Sequence, residues 1–216
     1  MAKIENFKYS IEEAFRECFY IVPNYQREYV WTDKEVKQLL DDINEQIDGN
    51  KGTEYFIGTV LVSPTIEKYH FHLIDGQQRL TTFFLLLCVL KQLFRGEAQR
   101  QSITGLVTTS YTTADGETQT SMKLDPQYEN ASEVMQVIVN ADADPETTRN
   151  AIQAAGIPTF GSLENLVSAF GTIYRYLKDN YDDSAKLKKY WGYLANKVVF
   201  IQISTDSYNN CYHEHP

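Results

Sequence analysis

The sequence is short of cysteine, short of basic charge relative to acid, and without any apolar run that can cross a bilayer. Its three cysteines, Cys18, Cys88 and Cys211, are scattered, odd in number and form no C-x-x-C pair. That argues against a disulfide framework and predicts a reducing, cytoplasmic setting, with Cys88 as a buried small hydrophobe. The longest uninterrupted apolar stretch, Phe83 to Leu90, is far below the ~20 residues that span a membrane. Residues Met1 to Lys8 contain no apolar h-region, so neither a secretory signal nor a membrane partner is expected. Twenty Lys and Arg against 29 Asp and Glu leave a formal charge of −9. A surface that grips DNA by blanket phosphate neutralisation needs clustered cations and is disfavoured, while one small basic pocket remains compatible with this balance.

What is present is the composition of a packed globular chain: 43% hydrophobic and 13% aromatic in 216 residues, enough for one ordinary core or for one domain plus an appended subdomain. Ser10-Ile11-Glu12-Glu13 and Thr32-Asp33-Lys34-Glu35 are capping-box patterns and predict two helix starts. Between them Cys18 to Val22 reads as a buried strand stopped by Pro23. Tyr55 to Val62 and Lys68 to Ile74 read as a strand hairpin, and Asp75-Gly76 ends its second strand. From about Gln78 to Phe94 the chain is apolar almost all round, which predicts a central buried helix. The Ser/Thr-rich stretch after Arg100 has the composition of a linker, but its β-branched residues flank Asp115-Gly116, which favours a hairpin. Helices are expected at Ser132–Asn140, at Pro145–Ala155 behind Asp144, and from a Ser162 cap onward; Val198 to Ser204 is a late strand, and Asp206 to Pro216 shows no pattern. The expected class is α+β: a mixed core over 1–100, a hairpin or linker over 101–130, and a mainly helical region over 131–216 whose strand at 198–204 returns to the core.

Two short constellations carry chemistry. The first is Asp75-Gly76-Gln77-Gln78-Arg79-Leu80-Thr81, at a strand-to-helix junction. A helix N-terminus offers unpaired backbone N–H groups and partial positive charge, so it suits an anion. Gly76 lets the backbone turn, Arg79 offers a forked guanidinium, Gln77 and Gln78 offer amides, and Thr81 offers a hydroxyl. Asp75 suits a Mg²⁺ carried on a polyphosphate, a polarised water, or the orientation of Arg79. The plainer reading is an Asp cap and an Arg paired with it, holding a buried helix. The second is Pro23 to Trp31, a loop that concentrates Tyr25, Gln26, Arg27, Tyr29 and Trp31. Gln26 and Arg27 are placed to reach the same anion, whereas Trp31, just ahead of the Thr32 cap, suits a hydrophobic staple. His70 and His72 share a strand face without a third ligand nearby, and Asp41, Asp42 and Glu45 lie on the polar side of an amphipathic helix. His213-Glu214-His215 lacks the H-E-x-x-H spacing of a zinc protease.

Tyr25-Gln26-Arg27-Glu28-Tyr29-Val30-Trp31, Tyr55-Phe56-Ile57-Gly58-Thr59-Val60 and Asp75-Gly76-Gln77-Gln78-Arg79-Leu80-Thr81-Thr82, in that order and spacing, resemble the N-terminal domain family of GmrSD-type, modification-dependent (type IV) restriction systems. The resemblance implies a ParB/sulfiredoxin-like fold and an NTP-binding, NTP-hydrolysing domain that works beside an HNH-type nuclease in defence against modified phage DNA. Carried over by position, it implies Asp75, Gln78 and Arg79 as catalytic groups. Gln26, Arg27, Gly58, Gly76, Gln77 and Thr81 would form the nucleotide site, with Gly58 leaving room for the ligand and Asp75 holding Mg²⁺. The F-x-x-x-N-x-R-G-like segment and the H-N-H spacing of such systems are not found in this sequence, so the nuclease is expected on another domain or subunit. A non-hydrolysing module that senses DNA or a protein partner, itself open to oligomerisation, is the alternative function.

Overall fold

The computed structural model describes residues 4–49, 52–112 and 114–205; Cys211, the 206–216 tail and its His-Glu-His run lie outside them. Both capping boxes form. Ser10 caps α1 (Ile11–Glu17) and Thr32 caps α2 (Asp33–Asp48), each with its Glu side chain returned to the cap backbone. Ahead of α1 runs a strand not expected from the sequence, β1 (Ile4–Ser10), whose mostly exposed side chains hide any alternation. β2 (Phe19–Val22) follows α1, and β3 (Tyr55–Pro64) and β4 (His70–Asp75) form the expected antiparallel hairpin.

The long apolar segment is α3 (Gln77–Leu93), buried from Leu80 to Gln92. A second unexpected element is α4 (Ala98–Val107), which takes the start of the Ser/Thr-rich stretch; Ile103, Leu106 and Val107 fasten it to the core. The rest of that stretch is a separate two-stranded hairpin, β5 (Thr108–Thr112) with β6 (Thr118–Met122). A three-residue strand, β7 (Leu124–Pro126), follows, too short to give a pattern in sequence. Then come α5 (Ala131–Asn140), α6 (Pro145–Ala154), α7 (Ser162–Asn180), α8 (Ser184–Lys197) and β8 (Val198–Thr205). Asp144 caps α6 as expected, but the N-cap of α7 is Gly161 rather than Ser162, at φ +57°. That backbone conformation favours glycine, so the serine is displaced into the helix.

The main sheet is six-stranded and mixed, in the order β1-β8-β3-β4-β2-β7. β8 lies between β1, antiparallel to it, and β3, parallel to it. A strand from the end of the chain therefore holds its first strand in the sheet. On the sheet's buried side, the Tyr20 hydroxyl donates to Gln202 Oε1 at 2.9 Å, joining β2 to β8. The C-terminal half of α3 also carries polar groups inward. Lys91 Nζ donates to the Val139 carbonyl and Gln92 Nε2 to the Ala141 carbonyl (3.2 Å), so two α3 side chains satisfy carbonyls at the end of α5. Among the described residues no helix is long and apolar enough to cross a membrane.

Candidate nucleotide site

The site is built where β4 stops. Asp75 pairs with Leu61 of β3, Gly76 turns the chain at φ +90°, and α3 begins at Gln77. A side chain at Gly76 would meet Val60 Cγ2 at 3.0 Å, so this turn needs glycine for its dihedral and for its packing on β3. No side chain caps the N-terminus of α3, and its first N–H groups remain available to an acceptor.

Beyond the last β3–β4 pair, β3 bulges. Phe56 pairs with Val199 and Thr59 with Ile201, so three steps on β3 match two on β8. Arg79, from the first turn of α3, reaches this bulge. Its Nη2 donates to the Thr59 carbonyl at 2.8 Å and its Nη1 to the Ile57 carbonyl. The guanidinium thus takes the place of a neighbouring strand for two carbonyls that β4 ends too early to reach. Gly58 sits at the bulge with φ +98°, and a Cβ built on it would collide with Arg79 Nη1. The space expected to admit a ligand at Gly58 is filled by the Arg79 side chain. The Asp75–Arg79 pair of the plainer sequence reading is not among the contacts; Arg79 bonds to main chain instead.

Gln78 joins this junction to the aromatic loop. The Val30 N–H donates to Gln78 Oε1 at 2.8 Å, and Gln78 Nε2 donates to the Glu28 carbonyl at 2.9 Å. Thr82 Oγ1 donates to the Gln78 carbonyl at 2.8 Å, and the Tyr29 hydroxyl lies 2.8 Å from Thr82 Oγ1. The single Thr82 proton goes to the carbonyl, so Tyr29 is the donor of the other bond. Burial pushes the Tyr29 phenol up from its ordinary value and keeps it protonated. From the far side, Asn165 of α7 donates to the Tyr29 carbonyl at 3.3 Å. The loop is therefore fixed by its backbone and by the buried Tyr29, not by its charged residues.

Four residues of the two motifs keep their side-chain polar groups unspent. The side chains of Gln26, Arg27, Asp75 and Gln77 have no hydrogen-bond or ion-pair partner among the described residues, and Arg27 and Asp75 are exposed. Thr81 is not brought to the same place. It is 3% exposed, because α3 is buried on every side from Leu80 onward and its hydroxyl faces the interior. His70 is taken up by a stack on Phe19, with ring centroids 4.3 Å apart, and by Glu67 at 3.3 Å.

A hollow of about 390 Å³ opens on the Arg79 side chain, between the N-terminal half of α2 and the start of β3. Trp31, Phe56, Tyr55, Lys34, Gln38 and Asp42 contribute to its wall. Trp31 is half-buried against the core, as a staple would be, yet it also lines this hollow. Phe56, Gln38 and Asp42 are given no functional role by their sequence context. Phe56 shares the alternation phase of the buried Val60 and Val62, and the bulge between Phe56 and Thr59 turns it outward, so periodicity carries no signal for it. Asp42 is more than a solvated acid: it accepts Gln38 Nε2 at 2.7 Å and the Tyr55 hydroxyl at 3.1 Å.

Among the described residues no cluster of three or more His, Cys, Asp and Glu side chains can hold a metal by itself. The donor set fits a Mg²⁺ only as an ion that keeps its waters and rides on phosphate oxygens, with Asp75 as one carboxylate.

The family model for the GmrSD restriction endonuclease N-terminal domain matches residues 5–213. The match covers nearly the whole chain, and the chain belongs to that family. No curated protein matches it.

Proposed function

We propose that this member of the GmrSD N-terminal family binds and hydrolyses a nucleoside triphosphate, as the regulatory module of a restriction system that defends against phage. The observation that carries the reading is the pair of hydrogen bonds between Gln78 and the loop backbone. The pair fastens the loop that carries Gln26 and Arg27 to the first turn of α3, whose N-terminus is uncapped, and leaves their side chains, and those of Asp75 and Gln77, unpaired among the described residues.

In this reading the strand–Gly76–helix turn serves as a ParB/sulfiredoxin-like phosphate loop. The Gln77 and Gln78 N–H groups and the helix dipole hold phosphate oxygens, and Arg27 and Gln77 add side-chain donors. Arg79 has two N–H donors fixed on β3 and others free, so it presents a rigid positive charge whose position the bulge determines. Asp75 is the carboxylate for the nucleotide's Mg²⁺, which would withdraw charge from the phosphates during transfer to water. Gly58 and Gln78 act as positioning residues. Gly58 admits the guanidinium, and Gln78 holds the loop. Cleavage of DNA falls to an HNH-type nuclease domain or subunit acting as partner, and DNA is engaged through the assembled system.

Calorimetric titration of the chain with each common NTP and Mg²⁺, followed by phosphate-release assays, tests this. Asp75→Asn should keep the wild-type melting temperature, because the side chain is exposed and unpartnered, and should lose Mg²⁺-dependent turnover. Wild-type protein that binds none of the NTPs would overturn the proposal.

A further inference from the structure

The hollow beside Arg79 has a composition that a phosphate site would not have. Its two cations, Lys34 and Arg79, are matched by two acids, Glu35 and Asp42, and Glu35 is already engaged by the Thr32 cap. A charge-balanced interior offers a triphosphate no net attraction. It does offer aromatic surface. Phe56 is 53% exposed at the start of β3, and Trp31 forms the neighbouring wall from the end of the loop. An exposed large aromatic that shares a concavity with a second one suits a flat apolar ligand.

We infer that this hollow is the nucleoside subsite of the nucleotide site, with the base stacked against Trp31 and Phe56. The inference rests on the phosphate reading above, and Arg79 connects the two. Its backbone belongs to the first turn of α3, where the phosphates are placed, and its side chain forms part of the wall of the hollow. A nucleotide laid across Arg79 has its phosphates at the helix end and its base in the charge-balanced end. The polar groups in the wall are mostly spent on each other: Gln38 donates to Asp42, and Tyr55 donates to Asp42. The base is therefore held by its face more than by its edge. Stacking of this kind tolerates any base, since every base has a π face.

The test compares NTPs with inorganic tripolyphosphate, both with Mg²⁺, on the full chain by calorimetry. Wild-type protein should bind NTPs about ten- to a hundredfold more tightly than tripolyphosphate. Phe56→Ala removes a half-exposed side chain, so the fold tolerates it. It should weaken NTP binding about tenfold and leave tripolyphosphate affinity unchanged. A second readout uses Trp31 fluorescence in the Trp191→Phe variant, which retains one of the chain's two tryptophans; NTP should quench it and tripolyphosphate should not. Equal affinity of wild type for NTP and tripolyphosphate would overturn the nucleoside subsite and leave the phosphate site standing. So would a Phe56→Ala variant that binds both ligands as the wild type does. Failure to bind either ligand would overturn both.

Discussion

Gln78 and Val30, 48 positions apart in sequence, are joined by a 2.8 Å hydrogen bond from the Val30 N–H to the Gln78 side-chain carbonyl. With its amide nitrogen on the Glu28 carbonyl at 2.9 Å, Gln78 pairs with the loop as a strand residue pairs with its neighbour. This contact joins two motifs that are far apart in sequence. It also sets what each substitution around it should do.

Gln78→Glu replaces the donating NH₂ with an oxygen facing the Glu28 carbonyl, so one bond is lost and a repulsion is introduced. Stability should fall by about 1–3 kcal/mol in urea unfolding, and trypsin should cut faster after Arg27. NTP affinity should fall as well, since the loop loses its register. Unchanged cleavage at Arg27 would show that the loop is held by other contacts.

Gly58→Ala places a methyl group on the Arg79 guanidinium and imposes a side chain at φ +98°. Both effects destabilise, by about 1–3 kcal/mol for the backbone conformation alone. Arg79→Ala frees the carbonyls of Ile57 and Thr59. In a double-mutant cycle the two changes should be non-additive, because the alanine at position 79 removes the collision while the backbone strain persists. Strict additivity would mean that Gly58 and Arg79 do not act on each other.

Tyr29→Phe keeps the buried ring and deletes the hydroxyl that donates to Thr82. Thr82 still donates to the Gln78 carbonyl, so no buried donor is stranded. The cost should be about 1 kcal/mol, the net worth of one hydrogen bond. Tyr29→Ala empties the ring site and should cost about 3–5 kcal/mol, as for other large aromatics. Chemical denaturation of the two variants separates packing from hydrogen bonding.

Arg149 of α6 donates twice to Glu164 in the first turn of α7, at 2.7 and 2.8 Å. These bonds hold the Glu164 carboxyl below its ordinary value of 4.5. The unfolded chain therefore binds more protons than the folded one in this range, and stability rises with pH there. The contribution is complete above 4.5 and is lost as pH falls through the lower folded value. The pair is partly exposed, so the effect is modest. Glu164→Gln should melt lower than wild type at neutral pH and lose less on acidification from about pH 5 to about pH 3. Parallel melting curves across that range would remove Glu164 from the acid response.

Elements with strong local signals are legible in the amino-acid sequence. The two capping boxes, the Asp144 cap, the Thr-rich hairpin and the all-round apolar α3 are each decided within a few residues by hydrogen bonds and periodicity. The family, too, was legible from three short blocks. Elements held chiefly by distant partners were not legible. β1 is an exposed strand kept in place by β8 from the other end of the chain, and β7 is three residues long beside β2.

Within the site, sequence identified the motif residues but not how they divide the work. Arg79 and Gln78 looked like ligand groups of the same kind as Arg27 and Gln26, since residue type and spacing say nothing about which donors are already spent. Folding settles which donors are spent. β4 ends two residues before the bulge of β3, and the carbonyls left there must be paired; Arg79 pairs them and Gly58 makes room. The aromatic hollow is likewise a property of packing, because Trp31, Phe56 and Gln38 come from a loop, a strand and a helix that meet only when α2 lies against β3.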